Sequence, residues 1–295
     1  MTPSQNQIYH NCRIKTYPDG TSEVLCCNRQ LFREPGWEAQ RREPRPLPSG
    51  AEPDEADNLD RAMRRACSAV HDIAMSNDWA WFVTLTLDAR QVDRYDMTAI
   101  TRKMNNWLDN HVRRHGLAYV LVPERHKDGA VHFHGFFNDA LRAVDSRHKD
   151  GHGHRVYNLP QWTLGFTTAI ALYGNKQSAV GYVCKYVSKQ REKIGGRWYY
   201  SGGALRKPEI QLTDANIEDM EAAPEARRFE VPQLPNIRFA ALTSQGFCDV
   251  NQPPAKICEN GDGLTFFGLS TAAAAPPAPA APVHGAKKMT PKKLT

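Results

Sequence analysis

Apolar residues return at helical spacing at Leu59, Met63, Ala66, Val70 and Ile73, which predicts a helix capped by Asp57 or Asn58 and ending at Asn77-Asp78. The run Trp81-Phe82-Val83-Thr84-Leu85-Thr86-Leu87 is β-branched and aromatic. As a strand it puts Thr84 and Thr86 on one face and Val83, Leu85 and Leu87 on the other. Met97, Ile100, Met104, Trp107, Leu108 and Val112 mark a second helix, started near Asp96 and stopped by Gly116. Leu117 to Pro123 and Ala130 to Phe137 then read as two strands of a hairpin turning through Lys127-Asp128-Gly129. Further on, Val180, Val183 and Val187 make the packing side of a third helix, with Tyr182, Lys185, Tyr186 and Lys189 within an arc of roughly 100° on its other side. Towards the N-terminus, Asn11 to Phe32 reads as a hairpin around Asp19-Gly20, followed by a linker rich in Pro, Arg and Glu from Arg33 to Asp57.

Composition bounds what these elements can be. The 295 residues are 41% hydrophobic, enough for a buried core and too apolar for a wholly disordered chain. The longest mostly apolar stretch, Leu164 to Tyr173, falls short of the roughly 20 residues a bilayer helix needs, so no membrane partner is expected. Met1 to Lys15 is polar and lacks an apolar core, and the seven cysteines are an odd number, so reduced thiols and a cytoplasmic location are expected. Tyr182 to Lys207 holds seven positive residues against one acid, whereas Pro208 to Glu230 holds seven acids against two arginines. The basic stretch suits a polyanion better than a neutral metabolite. Four segments follow: 1–57, hairpin and linker; 58–210, the working domain; 211–269, an acidic extension; and 270–295, an Ala/Pro-rich and Lys-bearing tail that cannot bury enough surface to fold.

Candidate chemistry concentrates in the middle segment. A turn at Asp128-Gly129 sets Glu124 opposite His132, and His134 shares the face of His132. Two imidazoles and a carboxylate suit a divalent ion that keeps positions open for substrate. Arg191, Lys193, Arg197, Trp198, Arg206 and Lys207 offer phosphate neutralisation beside stacking surface, and Thr84 and Thr86 add polar groups on the open face of their strand. Trp198 suits the core as well as it suits DNA. Other clusters carry less. His148, His152 and His154 sit in a polar loop, His10 with Cys12, Cys26 and Cys27 matches no standard zinc finger, and Cys184 is off the tyrosine face and suits packing.

Taken in order, these motifs resemble the HUH endonucleases, specifically the rolling-circle replication initiators. Phe82-Val83-Thr84-Leu85-Thr86 matches the family's FxTLT strand, His132-Phe133-His134 its histidine pair with Glu124 as the acidic third ligand, and Tyr182 to Lys189 its YxxKYxxK helix. Two tyrosines four apart are similar to the gene A-type initiators of small single-stranded-DNA phages. The resemblance covers roughly Asp57 to Lys207. It implies an α+β fold with a central antiparallel sheet of about five strands and helices mainly on one face. It also implies Mg²⁺ or Mn²⁺ on Glu124, His132 and His134, nucleophilic attack by Tyr182 or Tyr186 on single-stranded or hairpin origin DNA, and charge stabilisation by Lys185 and Lys189. The product would be a 5′-phosphotyrosine and a free 3′-OH for a replicative polymerase. A helicase would act in trans, because the chain has no G-x-x-x-x-G-K-[ST] motif. Tyrosines placed after the histidine pair favour an initiator over a relaxase. A transposase of the same superfamily, or a non-catalytic single-strand-binding module, is the alternative. A cupin-like iron site fits less well, since cupins are nearly all-β and place the acid after the histidines.

Overall fold

The computed structural model describes residues 8–34, 55–151, 153–172, 176–190, 192–231 and 234–243. The tail at 270–295, most of the linker and His152 therefore lie outside the described residues. In chain order the elements are β1 (Tyr9–His10), β2 (Cys12–Thr16), β3 (Ser22–Cys27), β4 (Phe32–Arg33), α1 (Glu55–Ser76), β5 (Trp81–Leu87), α2 (Met97–His115), β6 (Tyr119–Arg125) and β7 (Val131–Phe137). There follow β8 (Val144–Lys149), β9 (Arg155–Asn158), β10 (Gly165–Ala171), α3 (Lys176–Lys189), β11 (Tyr200–Gly202), β12 (Glu209–Thr213), α4 (Ile217–Ala222), β13 (Arg227–Glu230) and β14 (Arg238–Thr243). The fold is α+β.

Its main sheet is antiparallel, in the order β11-β6-β7-β5-β10-β9-β8. That is seven strands against the expected five or so. The surplus includes β8 and β9, which arise from the histidine-bearing segment read as a loop. Both are mostly exposed, so neither carries the apolar alternation that marks a strand in sequence. One face of the sheet packs on α2, whose Ile100, Met104, Trp107 and Leu108 meet Val83, Leu85, Leu87, Phe133 and Phe137. The Asp96 carboxylate caps this helix by accepting from the amides of Thr98 and Ala99 at 2.8 and 3.1 Å. Gly116, at φ 68°, ends it in the left-handed conformation. The other face takes α1 and α3, which bury Val70, Ala74, Val180, Val183 and Val187 against Phe82, Val120, Val122 and Phe136. Each phenylalanine so enclosed contributes about 1.5–3 kcal/mol. The first helix starts earlier than its sequence suggests, at Glu55, which makes Asp57 a first-turn acid at the positive end of the helix dipole and not the cap.

A second sheet, β12-β2-β3-β14-β13, joins parts of the chain that had been read separately. The expected N-terminal hairpin forms, and the acidic extension pairs along both of its edges: Glu209 opposite Thr16 on one side, Phe239 opposite Cys27 on the other. Pairing over some 200 residues leaves no local signature. A buried polar cluster fastens this sheet to α1. The Lys15 ammonium donates to both oxygens of Asp72 at 2.6 and 2.8 Å, the Tyr17 hydroxyl donates to Glu23 at 2.9 Å, and His71 lies 3.3 Å from Glu23. Glu23, His71 and Asp72 bring their ligand atoms within 4.8 Å of one another, but Lys15 already supplies the cation against Asp72. Burial, with the charges of Glu23 and Asp72, pushes the Tyr17 phenol far up, so it stays neutral and donates.

The expectation that all cysteines are reduced is corrected here. Cys12 and Cys26, directly opposite on β2 and β3, form a disulfide, while Cys27, Cys67 and Cys184 are free and buried. This also removes the zinc reading of that hairpin, because His10 turns to Glu34 and Asp214. Among the described residues no helix is long and apolar enough to cross a membrane.

Candidate active site

The centre of the main sheet assembles the site by register. Glu124 on β6 stands opposite His132 on β7, which stands opposite Thr86 on β5. One step along, Val122, His134 and Thr84 make the next row. Alternation on β7 places both imidazoles on the face that carries α3, while Phe133 enters the α2 core.

Each imidazole has a threonine behind it. His134 Nδ1 is 3.1 Å from Thr84 Oγ1 and His132 Nδ1 is 3.3 Å from Thr86 Oγ1. These half-buried threonines, expected to contact DNA, stand against the rings because β5 lies beside β7. When the threonine oxygen accepts from Nδ1–H, the ring is fixed with its Nε2 lone pair free. Nε2 of His134 is buried, 2.9 Å from Glu124 Oε2, and makes no well-directed hydrogen bond. Burial, followed by the charges of His134 and His126, pushes His132 down to about 4, so it is neutral over the physiological range. Burial of Glu124 favours its acid form, but the contact with His134 and the Lys189 ammonium prevail and lower its pKa.

This donor set fits a divalent cation in chemistry: two imidazoles, a carboxylate, and a buried Nε2 that faces that carboxylate. The three ligand atoms are not all within 4.8 Å of one another, so His132, whose ring stacks on His126 at 5.3 Å, has to swing inward to share an ion.

The tyrosine helix lies directly over this row. Tyr186 is buried and stacks on His134, with centroids 4.1 Å apart and planes 2° from parallel. Its hydroxyl donates to Tyr182 Oη at 2.7 Å. Tyr182 is half-buried and meets Phe82 edge-on at 5.6 Å. Burial raises both phenol pKa values, but for Tyr182 the hydrogen bond received from Tyr186 pulls back. Lys189 is exposed, its ammonium 5.6 Å over the Tyr186 ring, and Lys185 is exposed on the preceding turn. Cys184 packs against Cys67 between α3 and α1, as expected.

The basic segment does not form one surface beside this row. Trp198 is buried among α1 and α3, and Arg197 covers the ring of Tyr200, which belongs to the α2 face. Arg206 pairs with Asp78 at 2.7 Å, ahead of the start of β5 and so towards the opposite end of that strand from Thr86. Lys193 is exposed next to Glu192, which pairs with Arg125 at the hairpin end of β6, and Lys207 is exposed. Arg191 lies outside the described residues.

Residues 80–191 match the family model for replication-associated protein ORF2/gene II protein. Over this segment, about two-fifths of the chain, the protein is similar to that family. The matched segment runs from the start of β5 through α3 and so contains every residue of the row and both tyrosines, while the second sheet falls outside it. The match is consistent with a role in initiating rolling-circle replication and, with it, DNA binding. No curated protein and no solved structure matches the chain significantly.

Proposed function

We propose that this protein nicks single-stranded origin DNA with a tyrosine and rejoins it after a round of replication. The observation that carries the reading is the stack of Tyr186 on His134, which seats a pair of phenols directly on the Glu124–His132–His134 row. Mg²⁺ or Mn²⁺ held by those three residues would polarise the scissile phosphate and neutralise charge developing on it.

Tyr182 is the primary nucleophile in this account. It is the more accessible phenol and accepts the hydrogen bond from Tyr186, which steadies its oxyanion as the proton leaves. Its Oη bonds to phosphorus while the bond to the 3′-oxygen breaks; the phosphate stays on Tyr182 as a 5′-phosphotyrosine, and the 3′-oxygen takes a proton. Tyr186, one helical turn on, serves the second cut. Lys189 and Lys185 stabilise the phosphate charge from the open side of α3. The free 3′-OH primes a polymerase, and a separate helicase unwinds the duplex.

The test uses oligonucleotides tiled across the DNA that encodes the chain, labelled at either end. Incubation with Mn²⁺ is expected to give a covalent band carrying the 3′ label and abolished by chelation. A protein that binds these DNAs but forms no adduct with any divalent metal is a binding module, and the endonuclease reading fails.

A further inference from the structure

The row that builds the site does not end at β5. On β10, Phe166 stands opposite Thr86, extending the line Glu124–His132–Thr86 by one more strand on the same face. With strands about 4.8 Å apart, its ring sits two strands, or about 10 Å, from His132. Phe166 is also 57% exposed, the highest value for a large hydrophobic among the described residues. Here β10 is paired to β5, its pairing to β9 lying further along at Ala169, and the exposed ring has no packing role to explain it. Its seat is rigid: a Cβ on the adjacent Gly165 would collide with the Thr86 carbonyl oxygen and come within 2.6 Å of the Asp88 amide, so glycine is what lets β10 lie tight against β5 there.

We propose that Phe166 is a stacking platform for a base of the cleaved strand, one that positions the neighbouring phosphate over the histidine row. This rests on the nicking function proposed above and adds the direction in which the strand leaves the site. An aromatic face is indifferent to base identity, which suits a platform that holds the strand while specificity is read elsewhere. Thr168, one position along the same face, is exposed too and opposite Thr84, so the track beyond the histidines is open and free of carboxylates at these positions. Further out, the β8–β9 hairpin presents exposed Arg147, Lys149 and Arg155; the last pairs with Asp145, leaving charge to meet phosphates leaving the sheet.

The experiment measures anisotropy of fluorescein-labelled oligothymidylate with full-length protein in chelator, so that no chemistry occurs. Phe166→Ala is expected to weaken binding roughly tenfold. Phe166→Trp should bind like wild type, with indole emission quenched by DNA. The slope of log Kd against log salt should be the same for all three, because no phosphate contact is lost. Wild-type affinity in Phe166→Ala overturns the platform, and if that variant still forms the Mn²⁺-dependent adduct, the nicking function stands without it. Weakened binding in Phe166→Ala when no protein forms an adduct keeps the platform and removes the endonuclease. Phe166 makes few contacts, so neither substitution threatens the fold.

Discussion

Replacing Thr84 by valine removes one hydroxyl and keeps the β-branched shape that suits β5. In the structure that hydroxyl is 3.1 Å from Nδ1 of His134, the more buried of the two histidines. Without it the imidazole can turn over or shift its proton to Nε2, and either change spends the lone pair that faces Glu124. Partners of this kind are worth tenfold to a hundredfold in metal affinity, or about 1.4–2.8 kcal/mol. Thr86→Val should cost less, because its contact with the half-exposed His132 is longer, at 3.3 Å. Folding should suffer little, since one hydrogen bond contributes only about 0.5–1.5 kcal/mol net. The assay is Mn²⁺ titration by calorimetry, with Thr84→Ser as the control that keeps the hydroxyl, followed by adduct formation at saturating Mn²⁺, where Thr84→Val should recover. If Thr84→Val binds Mn²⁺ as wild type does, the threonines do not hold the histidines for a metal and the tautomer argument is wrong.

Other outcomes follow from the packing. Lys15→Met leaves Asp72 with only Tyr17 and His71 as partners and should cost about 1–3 kcal/mol in urea unfolding, most of it recovered in Lys15→Met/Asp72→Leu. For Asp72 itself burial opposes ionisation, but the His71 and Lys15 interactions win and depress its pKa. Its contribution to stability is therefore full above the unfolded value of about 3.9 and is lost as pH falls below it, a loss that Asp72→Asn should flatten. Gly135→Ala should prevent folding, since its Cβ would strike the Val120 carbonyl oxygen and lie 2.9 Å from Leu121 Cα; soluble expression is the measurement.

Local chemistry made the functional half of the chain legible. Asp96 and Gly116 bracket α2, the Val83–Leu85–Leu87 alternation orients β5, and the midpoint between 124 and 132 gives the hairpin its register. What stayed hidden was set by distant pairing. The union of β2 and β3 with β12 and β14 needs residues some 200 apart, whereas the Cys12–Cys26 disulfide is local, set by the register of the N-terminal hairpin. The place of Phe166 required knowing that β10 lies beside β5. Trp198, whose composition suits core and DNA alike, is buried, as is Tyr200, and only its packing partners distinguish the two roles.

The central claim is that a phenol on α3 becomes covalently joined to DNA. Proteolysis of the Mn²⁺-formed adduct followed by mass spectrometry of the nucleotide-bearing peptide tests it most directly. The account predicts the modification from the first cut on Tyr182 in the wild type, and on Tyr186 when Tyr182 is phenylalanine. Label on a residue outside α3, or an adduct that survives in the Tyr182→Phe/Tyr186→Phe double variant, would contradict it.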